Sequence, residues 1–289
     1  MIALLLAAWL APVPLAFGQT APAAAPAPRT VNLNLPPPPA LTLPVGGVVR
    51  SGQGRIVEPA AGQMRIEQGS ATLGLDWQAF SIGSGASVQF VQPDANSIAL
   101  NRIVGHEASQ IYGRLAANGQ VFLVNPNGVL FARGAKVDVG GLVASTLDLS
   151  QQDFAAGTYR FAGGSSAPVV NDGDLRATSG GYVALFGRDV ANTGEIRVDA
   201  GTVLLASGEA ATVSLSGHGL ISAAVTPGSV AGQVLNGGDL LADGGTVRMQ
   251  AHSAQALAGS LVNNSGLVRA NAIVERGGTV HLPCALRLL

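Results

Sequence analysis

The side chains best suited to chemistry in this sequence are six aspartates of its second half: Asp172, Asp174, Asp189, Asp199, Asp239 and Asp243. Clustered on one face they could cleave a glycosidic bond as an acid–base pair, or join Ca²⁺ and an arginine against an acidic polysaccharide. Asp172, Asp174 and Asp239, however, fall inside short repeats built on Asn and Gly, where aspartate is a routine turn former. His106, His218, His252 and His281 are far apart, and no pair has the spacing of metal ligands. Cys284 is the single cysteine, which removes an intrachain disulfide and a cysteine-cluster zinc site. Gly52-Gln53-Gly54 lacks the third glycine of a dinucleotide loop, and no Gly-x-Ser-x-Gly elbow occurs. The expectation is no catalytic residue, no metal and no cofactor. A polysaccharide-acting enzyme is the rival function.

Composition decides what scaffold must hold these residues. Glycine supplies 39 of 289 positions, charged residues 11% and aromatics 4%, while 47% are hydrophobic. A chain that apolar is not disordered over most of its length. A net charge of −1, thinly spread, lacks the basic footprint of a nucleic-acid binder. From Val45 onward the apolar residues alternate with polar ones: Leu73, Leu75 and Trp77, then Val88 and Phe90, later Ile196 and Val198, Val247 and Met249. Such alternation in short runs predicts half-buried strands. Helical spacing shows only briefly, from Ala251 to Leu261.

The strands recur as units. Asn171-Asp172-Gly173, Asn192-Thr193-Gly194, Asn236-Gly237-Gly238 and Asn264-Ser265-Gly266 each open a similar segment, at intervals of 21, 44 and 28 residues. These intervals read as one unit, two units, and one unit with an insertion. A repeat of that length with three strands per unit predicts an all-β, right-handed parallel β-helix, capped at its N-terminal end. Asn and Gly would be corner residues that tolerate left-handed backbone. Residues 45–289 would form about eleven coils stacked about 4.8 Å apart.

The ends depart from the pattern. Ile2 to Phe17 is an apolar run broken by Pro12 and Pro14, and Ala16 and Gly18 suit cleavage before Gln19, so residues 1–18 read as a secretory signal peptide. Residues 19–44, rich in Pro and Ala, predict an extended linker outside any core. Residues 281–289 abandon the repeat and read as a truncated end. An autotransporter-type passenger is a further alternative, and would need a C-terminal membrane barrel.

Four stretches carry a family resemblance. They are Leu75-Asp76-Trp77-Gln78-Ala79-Phe80-Ser81-Ile82-Gly83, Leu100-Asn101-Arg102-Ile103-Val104-Gly105, the run from Asn118 to Phe131, and the run from Gly140 to Asp148. In that order they resemble the N-terminal secretion domain of the filamentous haemagglutinin family, the exoproteins of two-partner secretion. The resemblance implies a two-partner secretion core over residues 45–165, with β-helix repeats continuing over 166–280.

Asn125-Pro126-Asn127-Gly128 by itself reads as a type I turn between buried strands, with Pro presetting φ and Gly closing it. A turn that merely closes a coil needs nothing more. The resemblance implies that Asn125, Pro126, Asn127 and Gly128, with Asn101 and Arg102, belong to a region recognised by an outer-membrane transporter barrel with periplasmic docking domains. The family's other short motif, Asn-Pro-Asn-Leu, gives way to Gln92-Pro93-Asp94-Ala95-Asn96, which places the chain nearer the adhesin-like branch. The implied protein is a secreted, haemagglutinin-like adhesin module. It passes the periplasm transiently, unfolded, and folds at the cell surface to meet a host surface or a haem-carrying protein.

Overall fold

The computed structural model of the chain describes residues 30–217, 219–226, 232–251, 261–270, 274–276 and 279–281. The expected signal peptide, the first part of the linker, most of Ala251 to Leu261, and Cys284 with its neighbours lie outside them.

Each alternating run becomes a strand, and the strands stack in parallel on three faces. The first face runs through Gln63–Gln68, Ser87–Val91, Arg114–Ala117, the start of Lys136–Ser145, the start of Asp174–Gly187, Glu195–Arg197, Asp239–Leu241 and Leu267–Arg269. The second runs from Thr72–Trp77 through Ile98–Ile103, Gln120–Val124, the ends of the two long strands and Thr202–Ser207 to Thr246–Ala251. The third runs from Ser109–Ile111 through Val129–Phe131, Val169–Asn171, Asp189–Asn192 and Gln233–Asn236 to Leu261–Asn264. One turn round the three faces is one coil, and the fold is the expected right-handed parallel β-helix. Like residues meet in register inside it: Met64, Val88, Leu115, Val137, Leu175, Ile196 and Leu240 form one inward column, all buried. At the N-terminal end, Val48–Ser51 and Gly54–Ala60 lie antiparallel on the first strands of two faces, so neither edge is left bare there.

The described coils number eight on the first face, fewer than the eleven expected, because two stretches leave the helix. Asn192 pairs directly with Asn236 in register, so the 44-residue interval is one coil carrying an insertion rather than two coils. Strands Ala210–Ser216 and Gly219–Thr226 of that insertion join Tyr159–Ala162 in a three-stranded antiparallel sheet. With Phe154 of the helix Gln151–Ala155 it covers the outer side of the second face, burying Leu100, Phe122, Val143, Ala184 and Leu204. That is why Val121-Phe122-Leu123-Val124 is apolar without alternation: both of its sides are covered.

The Pro-rich segment is no free spacer where it is described. Val31 and Leu33 pack on Leu130 and Val170 of the third face, and Gly83 and Gly85 donate backbone bonds to Thr42 and Ala40.

The repeated asparagines also serve another purpose than the one expected. None has a positive φ; among the described non-glycine residues only Ala200 does. Their side chains instead form a buried ladder. Asn171 Nδ2 donates to Asn192 Oδ1, Asn192 to Asn236, and Asn236 to Asn264, each at 2.7 Å. Each asparagine amide also reaches the carbonyl of the glycine two residues on. Those glycines are required by crowding: a Cβ on Gly194 would lie 2.1 Å from the Gly173 carbonyl oxygen.

Candidate functional site

The turn from Asn125 to Gly128 carries the chain from the second face to the third. The Gly128 N–H donates to the Asn125 carbonyl at 3.1 Å, as a four-residue turn requires, and Gly128 sits at φ +117°, which other residues rarely adopt. Asn125 is wholly buried. Its Oδ1 accepts from the Asn127 N–H at 2.9 Å, while its amide donates to the Glu107 carbonyl at 2.9 Å and to Ser109 Oγ at 3.0 Å. Asn127 is half-buried and donates to the Gly105 carbonyl at 2.9 Å, and Pro126 is exposed. Within one motif, then, the amides of buried Asn125 and half-buried Asn127 both tie the turn to the coil beneath, while Pro126 is exposed.

Alternation splits Asn101 and Arg102 in the same way. Asn101 points into the core, in a column between Leu75 and Leu123. Its Oδ1 accepts from Trp77 Nε1 at 3.0 Å, and its amide donates to the Ala99 and Phe122 carbonyls, so the buried group is satisfied. Arg102 points outward and grips Asp148 with two bonds, of 2.7 and 2.9 Å. That carboxylate raises the guanidinium pKa above its ordinary value. Asp76 lies 3.8 Å away and itself accepts from Arg50 at 2.7 Å and Gln151 at 3.0 Å, so a polar network ties the second face to the helix Gln151–Ala155.

The turn opens on a groove. Pro126 and Asn127 line it beside His106, Thr146, Asp148 and the stretch Gly163–Ala167. Ser165 Oγ donates to the Pro126 carbonyl at 2.5 Å, fastening that stretch over the turn. Arg102 reaches the groove through Asp148, whereas Asn101 is part of the core. Asp148 lay at the end of a family-like stretch without an assigned role, and nothing in Gly163-Gly164-Ser165-Ser166 signalled a contact with residue 126.

The segment Gln92 to Asn96 is held as firmly. Gln92 donates to Gln68 Oε1 and to the Ser97 and Gln120 carbonyls, and accepts from the Gly119 N–H. Gln120 Oε1 accepts from the Tyr182 hydroxyl at 2.6 Å, and complete burial pushes that hydroxyl well above the ordinary tyrosine range.

The candidate carboxylates are dispersed. Asp174 and Asp239 share an outward column of the first face with Glu195, which Arg176 and Arg197 hold at 3.5 and 3.2 Å. Asp243 pairs with Arg269, Asp172 accepts from Thr193 Oγ1, and Asp189 accepts from the Gln233 N–H. Among the described residues no three His, Cys, Asp or Glu side chains gather as metal ligands.

An N-terminally capped β-helix with an extrahelical sheet on one face and an Asn-Pro-Asn-Gly turn is the architecture that the resemblance to two-partner secretion domains implies. The profile of the TPS secretion domain matches residues 42–283, and the chain belongs to that family. The secretion domain of HMW1 from Haemophilus influenzae superposes with a TM-score of 0.69 at 29% identity, over 80% of this chain and 60% of that one. Two heme/hemopexin-binding proteins of Haemophilus influenzae are 40% identical over 206 residues and 34% identical over 249 residues. These alignments cover 68% and 78% of this chain but 22% and 26% of the relatives, so the chain spans about a quarter of their length. Family and relatives identify the secretion domain of a two-partner exoprotein.

Proposed function

We propose that this module directs its exoprotein across the outer membrane through a partner barrel, whose periplasmic docking domains recognise the groove formed by Pro126, Asn127 and the Asp148-anchored stretch. The observation that supports this most is that the exposed turn shares one groove with Asp148, which Arg102 holds, and with Ser165, which donates to the Pro126 carbonyl. The chain crosses the periplasm unfolded. A β-helix suits such transit, since coils add one at a time through contacts with the previous coil, and folding outside opposes return. Substitution tests the site. Pro126→Ala, at the exposed position of the turn, lowers the amount of exported protein while the purified fold keeps its stability; Asn127→Ala lowers it as well and also loses the amide bonds to Gly105 and to Asn125 Oδ1, at a cost of about 1 kcal/mol. Full export of Asn127→Ala and Pro126→Ala variants would remove the groove from the recognition step.

For the whole exoprotein we propose a haem-carrying host protein as ligand. Support comes from the two relatives named for heme and hemopexin binding. Adhesion to a host surface is the competing role, and binding of the complete exoprotein to haem-loaded hemopexin, measured beside binding to host cells, separates them.

A further inference from the structure

The segment Val31-Asn32-Leu33-Asn34 alternates like a strand yet belongs to none of the described sheets. Val31 and Leu33 are half-buried, whereas Asn32 and Asn34 are exposed. With no ladder to hold it, the segment is seated by its two inward side chains, which rest beside Tyr112 on Leu130 and Val170 of the third face. Further along, the Gly85 N–H donates to the Ala40 carbonyl at 2.8 Å and the Gly83 N–H to the Thr42 carbonyl at 2.9 Å. Residues 31–42 therefore form a strap that crosses the outer side of the coils against their order, from Val170 back to Gly83. Leu33 touches more than the apolar bed. A Cβ on Gly128, the last residue of the Asn-Pro-Asn-Gly turn, would lie 3.1 and 3.2 Å from the two Leu33 methyl carbons.

We propose that Leu33 is a positioning residue for this turn, a role that rests on the groove proposed above as the recognition surface: seated on Gly128, it holds Pro126 in the orientation the partner barrel meets. The turn is gripped by backbone from the coils on either side. The Gly128 carbonyl accepts from the Ser109 N–H at 2.9 Å in the coil before, and the Val129 N–H donates to the Pro168 carbonyl at 3.2 Å in the coil after. Neither bond covers the outer side. Gly128 cannot cover it either, because φ +117° demands a residue without a side chain. Leu33 supplies that cover from 95 positions earlier in the chain, restricting the one residue of the turn whose backbone is otherwise freest. One consequence is an order of events. The bed of the strap includes Val170, so the turn is clamped only after the coil that carries Val170 has stacked, although Leu33 precedes every strand.

Three variants test the role: Leu33→Ala, the conservative Leu33→Met, and Leu35→Ala at an exposed position of the same strap. Amide hydrogen exchange at Gly128 and Ser109 is measured on the purified chain, and export through the partner barrel on the full-length exoprotein, beside Pro126→Ala. The expected result is that Leu33→Ala speeds exchange at both amides by about tenfold, leaves the first face unchanged, and lowers export toward the level of Pro126→Ala. Leu33→Met restores both readings, and Leu35→Ala alters neither. Unchanged exchange at Gly128 and Ser109 in Leu33→Ala overturns the proposal. Exchange that quickens across the first face as well also overturns it, since the loss is then one of general stability. Faster exchange at the turn with full export, while Pro126→Ala is poorly exported, overturns the positioning role and leaves the groove in place as the recognition surface. Full export of Pro126→Ala removes the groove itself, and the role of Leu33 with it.

Discussion

Replacing Asn192 with alanine cuts the asparagine ladder in its middle. The substitution removes the bond accepted from Asn171 and the bond donated to Asn236, both 2.7 Å, together with the contact to the Gly194 carbonyl at 3.3 Å. It strands an amide proton of Asn171 and a carbonyl oxygen of Asn236, in residues that are 0% and 1% exposed. Each buried polar group left without a partner costs about 1–3 kcal/mol, so the total is about 2–6 kcal/mol. Asn264 receives a single ladder bond and is half-exposed, so Asn264→Ala costs about 1 kcal/mol. Urea unfolding of the two variants, followed by circular dichroism, measures the contrast. The double variant Asn171→Ala with Asn192→Ala removes both partners of the 171–192 bond and so strands two ladder groups fewer than the two single changes combined, and its cost falls short of their sum by about 2 kcal/mol or more. A cost below about 1 kcal/mol for Asn192→Ala, or equal costs at 192 and 264, would refute the claim that the ladder stabilises the stack.

Three further outcomes follow from the same geometry. Ala200 holds φ +52° at a corner where the neighbouring coils place Gly180 and Gly244, both also at positive φ, so Ala200→Gly raises the unfolding temperature by relieving about 1 kcal/mol of strain. Arg102→Gln breaks the two-bond grip on Asp148. Because both partners are partly exposed, the cost is about 1 kcal/mol and shrinks in high salt, with a larger loss of export than of stability as the groove loosens. Tyr182 is held protonated by the fold, with its pKa above the unfolded value of 10.0, so its contribution is complete below that pH. Stability then falls as pH climbs toward the folded pKa, because the unfolded chain releases the proton first; Tyr182→Phe flattens that alkaline slope in unfolding measured from about pH 9 to about pH 12.

The strands were legible because their physics is local. Leu73, Leu75 and Trp77 alternate and are all buried inward, and the turn at Asn125 has the bond its sequence required. What sequence periodicity does not carry is the partner lying across a face. The run at residues 121–124 read as a buried strand, but only the folded chain shows that both of its sides are covered, the second by Phe154 and Tyr159–Ala162. The 44-residue interval read as two coils because spacing alone does not show where a segment leaves the stack, and the register of Asn192 with Asn236 makes it one coil with an insertion. For the candidate site, residue identity was visible and orientation was not. Asn101 and Arg102 are adjacent, yet one fills the core and the other holds Asp148, 46 residues away. Ser165 could not have been found, since its contact with Pro126 depends on an irregular stretch returning over the turn.

Export itself is the most direct measurement of the proposal that a partner barrel recognises this module. The full-length exoprotein, expressed in cells with and without the partner barrel, is quantified in the medium and in the periplasm. The account predicts delivery outside only when the barrel is present, with periplasmic retention or degradation in its absence. Equal amounts outside in both strains would contradict it.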